Sequence, residues 1–213
     1  MEEKNKVKPI KVVLIGESGV GKTSIITQFI QQIFQIDPQS TIGGTFSTKI
    51  IKCSNGMLLK LEIWDTAGQE RYRSITKMFY KDSSVAILVY DITNKFSFEE
   101  LQNYWVNQIK EVCSKDLLLV VVANKSDLFE REEVNEEVAR EFAKKYNALF
   151  HVITAKNTTL IENLFLDISK KISGADSAMM IDEKALNLKP KRKRSDSVSL
   201  KGDSNHKNNR KFC

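Results

Sequence analysis

The chain has 213 residues, of which 41% are apolar and 28% are charged, enough for one domain with a sizeable core plus an appendage. No apolar run approaches the roughly 18 residues needed to cross a bilayer, and the charged N-terminus is not typical of a signal peptide. Three widely spaced cysteines, Cys53, Cys113 and Cys213, indicate free thiols rather than a disulfide scaffold or a zinc site. We therefore expect a cytosolic protein.

The net charge of +6 is concentrated at the end of the chain. Residues 174–213 hold ten Lys and Arg against five Asp and Glu, so the preceding body is nearly neutral. This segment has too few apolar residues to offset the entropy lost on ordering. We predict a domain over residues 1–173 and a flexible, disordered basic tail over 174–213, for which an anionic surface is the expected partner.

Apolar runs predict a sheet of six strands, mostly parallel and flanked by helices. Two of these runs are continuously apolar, which is typical of strands buried on both faces of a parallel sheet. The Asn55-Gly56 pair predicts a hairpin turn between the second and third strands. The predicted strands cover residues 10–15, 45–51, 58–64, 84–90, 117–123 and 149–154.

Apolar residues at helical spacing predict helices over residues 24–30, 97–112, 135–146 and 159–172. In the second of these, Ser97 is the predicted N-cap, with Glu100 three residues further on. In the third, Val138, Phe142 and Tyr146 are expected to form the buried stripe. Strands and helices thus largely alternate along the chain, which favours an α/β fold.

A glycine-rich segment follows the first strand and reads Gly16-Glu17-Ser18-Gly19-Val20-Gly21-Lys22-Thr23, which matches the pattern G-x-x-x-x-G-K-[ST]. Its position between a strand and a helix is the one in which backbone N–H groups can surround a phosphate chain. Lys22 supplies a positive charge, and the Thr23 hydroxyl can bind Mg²⁺. The predicted phosphate-binding residues are Ser18, Gly19, Val20, Gly21, Lys22, Thr23 and Ser24.

The third strand ends in Asp65-Thr66-Ala67-Gly68-Gln69. A carboxylate at this position can hold Mg²⁺, Gly68 allows the backbone to approach a terminal phosphate, and Gln69 can orient an attacking water. Asp-x-x-Gly alone is a weak signal, but it is strong when it follows a strand and a phosphate loop. We predict Asp65 as a metal ligand and Gln69 as the catalytic residue.

Two further motifs follow the last two strands and predict the recognition of guanine. The Asp127 carboxylate of Asn124-Lys125-Ser126-Asp127 can accept hydrogen bonds from N1–H and N2–H₂ of guanine, which adenine does not offer. Thr154-Ala155-Lys156 follows the final strand and can present backbone N–H groups to the guanine O6. Because these motifs lie at the carboxyl ends of strands, we expect them to meet in one ligand site.

Together these motifs closely resemble the Rab family of small Ras-like GTPases over about residues 8–172. Segments 60–70, 71–76 and 90–93 also resemble Rab signature segments. The resemblance implies a P-loop NTPase fold of the Ras-like G-domain type and a monomeric switch in vesicle traffic that binds GDP or GTP with Mg²⁺. It also implies slow GTP hydrolysis, stimulated by a GTPase-activating protein that supplies an arginine.

The resemblance further implies roles for individual residues and partners. Thr41 would bind Mg²⁺ and sense the γ-phosphate, and Phe34 would pack against the guanine. Phe46, Trp64 and Phe79 match an aromatic surface that effectors contact, although simple core packing is the alternative for these three. The implied partners are an exchange factor, a GTPase-activating protein, a GDP-dissociation inhibitor or escort protein, and effectors, with no nucleic acid.

The chain departs from the Rab pattern at Gly43-Gly44-Thr45, which we expect to loosen switch I, and at its end. A single terminal Cys213 replaces the usual pair of cysteines. One prenyl chain on Cys213 plus the basic run 189–194 would anchor the protein to the cytosolic face of an intracellular membrane; a free thiol and a nuclear address are the alternatives. A constitutively nucleotide-bound scaffold with a nuclear-directed tail remains the second functional hypothesis.

Overall fold

The computed structural model describes residues 7–36, 41, 44–66, 78–113 and 116–181. Within these ranges one sheet has the strand order β6-β5-β4-β1-β3-β2-β7. Neighbouring strands from β6 to β3 run parallel, whereas β2 is antiparallel to both β3 and β7. The strands are β1 (Val7–Ile15), β2 (Gly44–Cys53), β3 (Leu58–Thr66), β4 (Val85–Asp91), β5 (Leu118–Asn124), β6 (Leu149–Val152) and β7 (Ala178–Ile181).

The sheet therefore has seven strands in the described part of the chain, and the prediction of six is wrong by one. The additional strand β7 pairs with the outer edge of β2, so that Ile181 lies opposite Ile50 and Ala178 opposite Cys53. It lies in the segment predicted to be disordered, and that prediction is wrong for Ala178–Ile181. The physical reason is that Met180 packs against the core while the backbone satisfies the open edge of β2.

Five α-helices flank the sheet in the described ranges: α1 (Lys22–Gln31), α2 (Lys95–Glu100), α3 (Val106–Val112), α4 (Glu136–Lys145) and α5 (Thr158–Ser173). A π-helical turn over Leu101–Trp105 joins α2 to α3, and a 3₁₀ helix over Ser126–Arg131 follows β5. None of the described helices is long and apolar enough to cross a membrane.

Two hydrophobic clusters hold the helices against opposite faces of the sheet. One contains the buried side chains of α1 and α5, where the rings of Phe29 and Phe165 stack with centroids 3.8 Å apart. The other contains those of α2, the π-helical turn, α3 and α4, including Trp105. The continuous apolar runs of β4 and β5 supply side chains to both clusters, as expected for central parallel strands.

Two details of the predicted helices are wrong. Asn94, not Ser97, is the N-cap of α2, because its side chain accepts a hydrogen bond from the Ser97 N–H while Ser97 itself is buried. In α4, Val138 is 54% exposed and Ala139 is buried in its place beside Phe142. The buried stripe of α4 is therefore displaced by one residue from the predicted one.

The hairpin between β2 and β3 has the predicted turn at Asn55-Gly56. Gly56 adopts a φ of 83°, a left-handed conformation that costs glycine little. The Cys53 N–H donates to the Met57 carbonyl and closes the turn. Because β2 and β3 are joined by so short a turn, Gly44 lies opposite Thr66 at the far end of the hairpin.

Candidate functional site

A cavity of about 700 Å³ opens at the carboxyl ends of the parallel strands. Its lining comes from five places in the sequence: the loop after β1 with the start of α1, the segment after α1, the end of β3, the end of β5 with the segment after it, and the segment after β6. The sequence predicted most of these residues as ligand contacts: Ser18, Gly19, Gly21, Lys22, Thr23, Ser24, Phe34, Thr41, Asn124, Lys125, Asp127, Thr154, Ala155 and Lys156.

Lys22 lies at the first turn of α1 and is held by the loop that precedes it. Its Nζ donates to the Gly16 carbonyl at 2.7 Å and to the Glu17 carbonyl at 2.8 Å. Burial lowers the pKa of Lys22 to about 8, although the charges of Asp65 and Glu17 favour the protonated form. An ammonium has three N–H donors, so these two bonds leave capacity for one oxygen of an anion in the cavity.

The loop approaches neighbouring backbone so closely that glycine is required at Gly16. A β-carbon at Gly16 would lie 2.1 Å from the Val89 carbonyl oxygen. Val20, predicted to bind nucleotide, does not line the cavity: its side chain is buried in the core, and its carbonyl accepts a 2.8 Å hydrogen bond from Asn124 Nδ2. The side chain of Val20 is therefore not available to contact a ligand in the cavity.

Three predicted metal ligands from separate segments converge at one point. Thr23 Oγ1 donates to Asp65 Oδ2 at 2.6 Å and lies 2.8 Å from Thr41 Oγ1, which is itself 3.4 Å from Asp65 Oδ2. Burial raises the pKa of the Asp65 carboxyl, against the hydrogen bond from Thr23 and the charge of Lys22. Asp65 Oδ1 is buried and has no hydrogen-bond partner among the described residues.

This cluster fits a hard divalent cation better than it fits a transition metal. One carboxylate and two hydroxyls supply only oxygen, the ligand that Mg²⁺ prefers, and Mg²⁺ usually takes its remaining ligands from water and phosphate. The described residues contain no group of three His, Cys, Asp or Glu that could hold a metal on its own. A cation near the unpartnered Asp65 Oδ1 would satisfy an oxygen that is costly to bury alone.

The other end of the cavity is built around Asp127. Its carboxylate accepts from Thr154 Oγ1 at 2.6 Å and from Lys156 Nζ at 2.6 Å. Burial would raise the pKa of Asp127, but the bonds from Lys156 and Thr154 lower it, so the carboxylate is charged at neutral pH. A carboxylate has about four acceptor sites, so Asp127 keeps acceptors for donors on a bound base.

Lys125 and Phe34 complete this end of the cavity. Lys125 adopts a left-handed φ of 66°, and its Nζ pairs with Asp91 Oδ2 at 2.6 Å. The Phe34 ring is 36% exposed and its centroid lies 5.8 Å from Lys156 Nζ. The stem of Lys125 and the ring of Phe34 are both apolar surfaces that can contact a planar base.

Sequence reasoning missed several residues of the site. Asp91, at the end of β4, orients Lys125, and its position at a strand end was a signal that could have identified it. Thr66 lines the cavity and its hydroxyl donates to the Leu14 carbonyl at 2.7 Å. Gln35, Ile36 and Leu128 also line the cavity without belonging to a recognisable pattern.

The three aromatic residues predicted as an effector surface are in contact with one another. The ring centroids of Phe46 and Trp64 are 5.0 Å apart, and those of Trp64 and Phe79 are 5.6 Å apart. Phe46 is 50% exposed, whereas Trp64 and Phe79 pack partly against the core. Gly44 lies beside them, where a β-carbon would meet Phe79 Cζ at 3.0 Å.

Four residues singled out in the sequence lie outside the described residues: Gly43, Gly68, Gln69 and Cys213. The predictions for these residues stay predictions, as does the role of the basic run 189–194. Asp65 and Thr66 are the last described residues before Gly68 and Gln69.

Comparisons with known proteins agree with the site. The family model described as "Ras family" matches residues 11–174. The chain is 38% identical to the human Ras-related protein Rab-22A over 86% of this chain and 93% of the relative. It is 42% identical to Rab-31 of Rattus norvegicus over 80% of this chain and 86% of the relative. It is also 42% identical to human Rab-30 over 76% of this chain and 79% of the relative. The chain belongs to the Ras family and within it to the Rab proteins, small GTPases that bind and hydrolyse GTP and act in membrane traffic.

Proposed function

We propose that this protein is a Rab-type switch whose 700 Å³ cavity holds GDP or GTP together with Mg²⁺. The observation that supports this most is the meeting of three predicted groups in one cavity: the ammonium of Lys22, the oxygen cluster around Asp65, and the carboxylate of Asp127. They suit a polyphosphate, a divalent cation and a guanine base, respectively.

The phosphate end of the cavity would bind the negative phosphates through the positive charge of Lys22 and through backbone N–H groups. The start of α1 is a helix N-terminus, where the unpaired N–H groups and the helix dipole favour an anion. Lys22 Nζ would use its third donor for a phosphate oxygen. Thr23, Thr41 and Asp65 would hold Mg²⁺, which neutralises the charge that develops on the phosphates during hydrolysis.

The base end would select guanine over adenine. The charged Asp127 carboxylate would accept hydrogen bonds from N1–H and N2–H₂ of the guanine edge, and adenine offers no matching pair of donors. Asn124 joins this end to the phosphate end, because its Nδ2 donates to the Val20 carbonyl. Phe34 and the stem of Lys125 would pack on the two faces of the base.

Hydrolysis would depend on Gln69, which would orient the attacking water. Among the described residues that line the cavity, none is an arginine. We expect a GTPase-activating protein to supply the arginine that stabilises the transition state. The catalytic contribution of this chain is then positioning and electrostatics rather than covalent chemistry.

Single-turnover hydrolysis by the purified protein tests this function. We expect hydrolysis of GTP but not of ATP, and Gln69→Leu should bind GTP while hydrolysing it roughly ten- to a hundredfold more slowly, because the water is no longer aligned. Gln108→Leu makes the same change on α3, outside the cavity lining, and should hydrolyse GTP at the wild-type rate. Equal turnover of GTP by the Gln69 variant and the wild type would contradict the role of Gln69.

The partners of the switch would bind beside the cavity. Phe46, Trp64 and Phe79 form a contiguous aromatic surface at the end of the β2–β3 hairpin, and the 50% exposure of Phe46 supports a role in binding effectors. Exchange factors, GTPase-activating proteins and a GDP-dissociation inhibitor or escort protein are the expected regulators.

The end of the chain would attach the switch to the cytosolic face of an intracellular membrane. A prenyl group on Cys213 and the basic run 189–194 are two weak signals that together give stable anchoring. The mass of the intact native protein tests this, because a prenyl group adds a fixed increment at Cys213, and a mass without it would contradict the proposal.

A further inference from the structure

Trp105 connects the helical layer to the phosphate loop. It is the last residue of the π-helical turn and is 1% exposed. Its indole Nε1 donates a 2.9 Å hydrogen bond to Glu17 Oε1 in the loop after β1. A charge-assisted hydrogen bond of this kind is stronger than one between neutral groups. A rigid, buried ring therefore holds a side chain of the phosphate loop.

Glu17 also contacts Lys22, but through its backbone. The Glu17 carbonyl is one of the two acceptors that hold Lys22 Nζ, at 2.8 Å. Glu17 thus lies between Trp105 and Lys22, with its side chain bonded to one and its main chain to the other. Movement of the Glu17 side chain would therefore shift the Glu17 carbonyl and, with it, the Lys22 ammonium that this carbonyl holds.

The loop around Glu17 has little intrinsic rigidity. Gly16 and Gly19, on either side, both adopt positive φ values, of 146° and 78°. Glycine has access to more backbone conformations than any other residue, so this segment depends on external contacts to keep one conformation. The bond from Trp105 is such a contact, and neither Trp105 nor Glu17 is among the residues that line the cavity.

The π-helical turn determines where this indole lies. The Val106 N–H donates to the Leu101 carbonyl, five residues earlier, in place of the usual four. One extra residue in a turn rotates the residues after it relative to those before it, and such turns are frequent at functional sites. Trp105 ends this turn, while Leu101 and Val106 stay buried on either side of it.

We propose that Trp105 is a positioning residue for the nucleotide phosphates: its indole fixes Glu17 and thereby holds the Lys22 ammonium where a phosphate beyond the first would bind. This inference rests on the proposed binding of guanine nucleotide in the cavity. It assigns a functional role to a buried aromatic residue in the segment predicted as a helix over residues 97–112.

Equilibrium affinities for GDP and GMP, measured by competition with a fluorescent GDP on the full chain, test the proposal. Trp105→Phe keeps an aromatic ring, although a smaller one, and loses the indole N–H. It should weaken GDP binding roughly three- to tenfold, since a hydrogen bond to a charged group is lost. It should change GMP binding by less than about twofold, because Lys22 contacts phosphates that GMP lacks. Tyr146→Phe removes a hydroxyl from an aromatic side chain that does not line the cavity and should change neither affinity.

A double-mutant cycle tests whether Trp105 acts on GDP binding through Glu17. Glu17→Ala should show the same selective loss for GDP, and adding Trp105→Phe to it should cause less than about a twofold further loss. Glu17 is partly exposed on a loop, so its variant keeps the test informative even where Trp105→Phe fails to fold.

Three results would overturn the proposal: unchanged GDP binding by Trp105→Phe, equal losses for GDP and GMP, or losses that multiply in the double variant. Failure of the wild-type protein to bind GDP would instead refute the proposed function itself, and with it the inference. The two failures are therefore distinguishable in one set of measurements.

Discussion

Replacing Gly21 by alanine should destabilise the protein more than the same replacement at Gly56. Both glycines have positive φ values, but only at Gly21 would the added β-carbon meet a neighbouring side chain. Gly21 has a φ of 96°, and a β-carbon there would lie 2.3 Å from Asn124 Nδ2. The Asn124 side chain would have to move, and its buried hydrogen bond to the Val20 carbonyl would break.

Two costs add up in this variant. The left-handed conformation costs an L-residue about 1–2 kcal/mol, and the loss of a buried hydrogen bond costs about 1–3 kcal/mol when its partner stays buried. Gly21→Ala should therefore lower the free energy of unfolding by about 2–5 kcal/mol. Gly56→Ala is the matched control: φ is 83° and nothing lies within 4 Å of the added carbon, so only the first cost applies.

Chemical denaturation of both variants, after removal of nucleotide by chelation of Mg²⁺, measures the difference. Removal of nucleotide matters because a bound ligand stabilises the folded state by mass action and would mix affinity with stability. Equal destabilisation of the Gly21 and Gly56 variants would refute the reasoning, because it would show that Asn124 can move without cost.

Two further predictions concern regions away from the cavity. Burial lowers the pKa of His151 below its usual 6.5, so the unfolded chain binds a proton more readily than the folded protein. The free energy of unfolding should therefore fall as the pH drops through about 6.5. His151→Gln should reduce the change in this free energy between about pH 7.5 and 5.5, and an unaltered change would contradict the assignment to His151. On β7, Met180→Lys should cost about 1–2 kcal/mol because Met180 packs on the core. Met179→Lys should be nearly neutral because Met179 is 59% exposed; equal melting temperatures for the two variants would show that β7 contributes no packing.

The parts of the site that the sequence predicted are those carried by short motifs at strand ends. Lys22, Asp65 and Asp127 each follow a recognisable strand, and parallel strands bring their carboxyl ends to one edge of a sheet. Their convergence was therefore predictable without knowledge of the strand order. The hydrogen bond from Asn124 to the Val20 carbonyl, which joins the two ends of the cavity, lies beyond what such motifs specify.

The missed features depend on contacts between distant segments. Glu17 and Trp105 are 88 residues apart, and nothing in either local pattern identifies the other. β7 was missed because Ala178–Ile181 is a weak strand by itself and gains its stability from the open edge of β2.

Two local errors have a different cause. Asn94 and Ser97 are both good N-cap residues, and the choice depends on Glu133, whose carboxylate accepts from the Lys95 N–H and so favours the earlier start. In α4 the small side chain of Ala139 gives a weak apolar signal, so the larger Val138 was assigned to the buried stripe. A hydrogen bond to a distant segment favoured the first outcome and packing in the hydrophobic core determined the second, so local propensity alone could predict neither.

The strand β7 also determines where the proposed membrane tether would begin. Without β7 the tether would begin at Gly174, at the end of α5. With β7 it begins after Ile181, beside Ile50, and β7 itself runs antiparallel to β2, in the direction of Phe46. Only seven residues separate Ile181 from Lys189, the first residue of the basic run, a span of at most roughly 28 Å. The aromatic surface and the lipid headgroups would thus be on the same side of the domain. An effector that contacts Phe46 on the membrane would have to fit between the protein and the bilayer, and partners thin enough to do so, or able to bind lipid themselves, would be favoured.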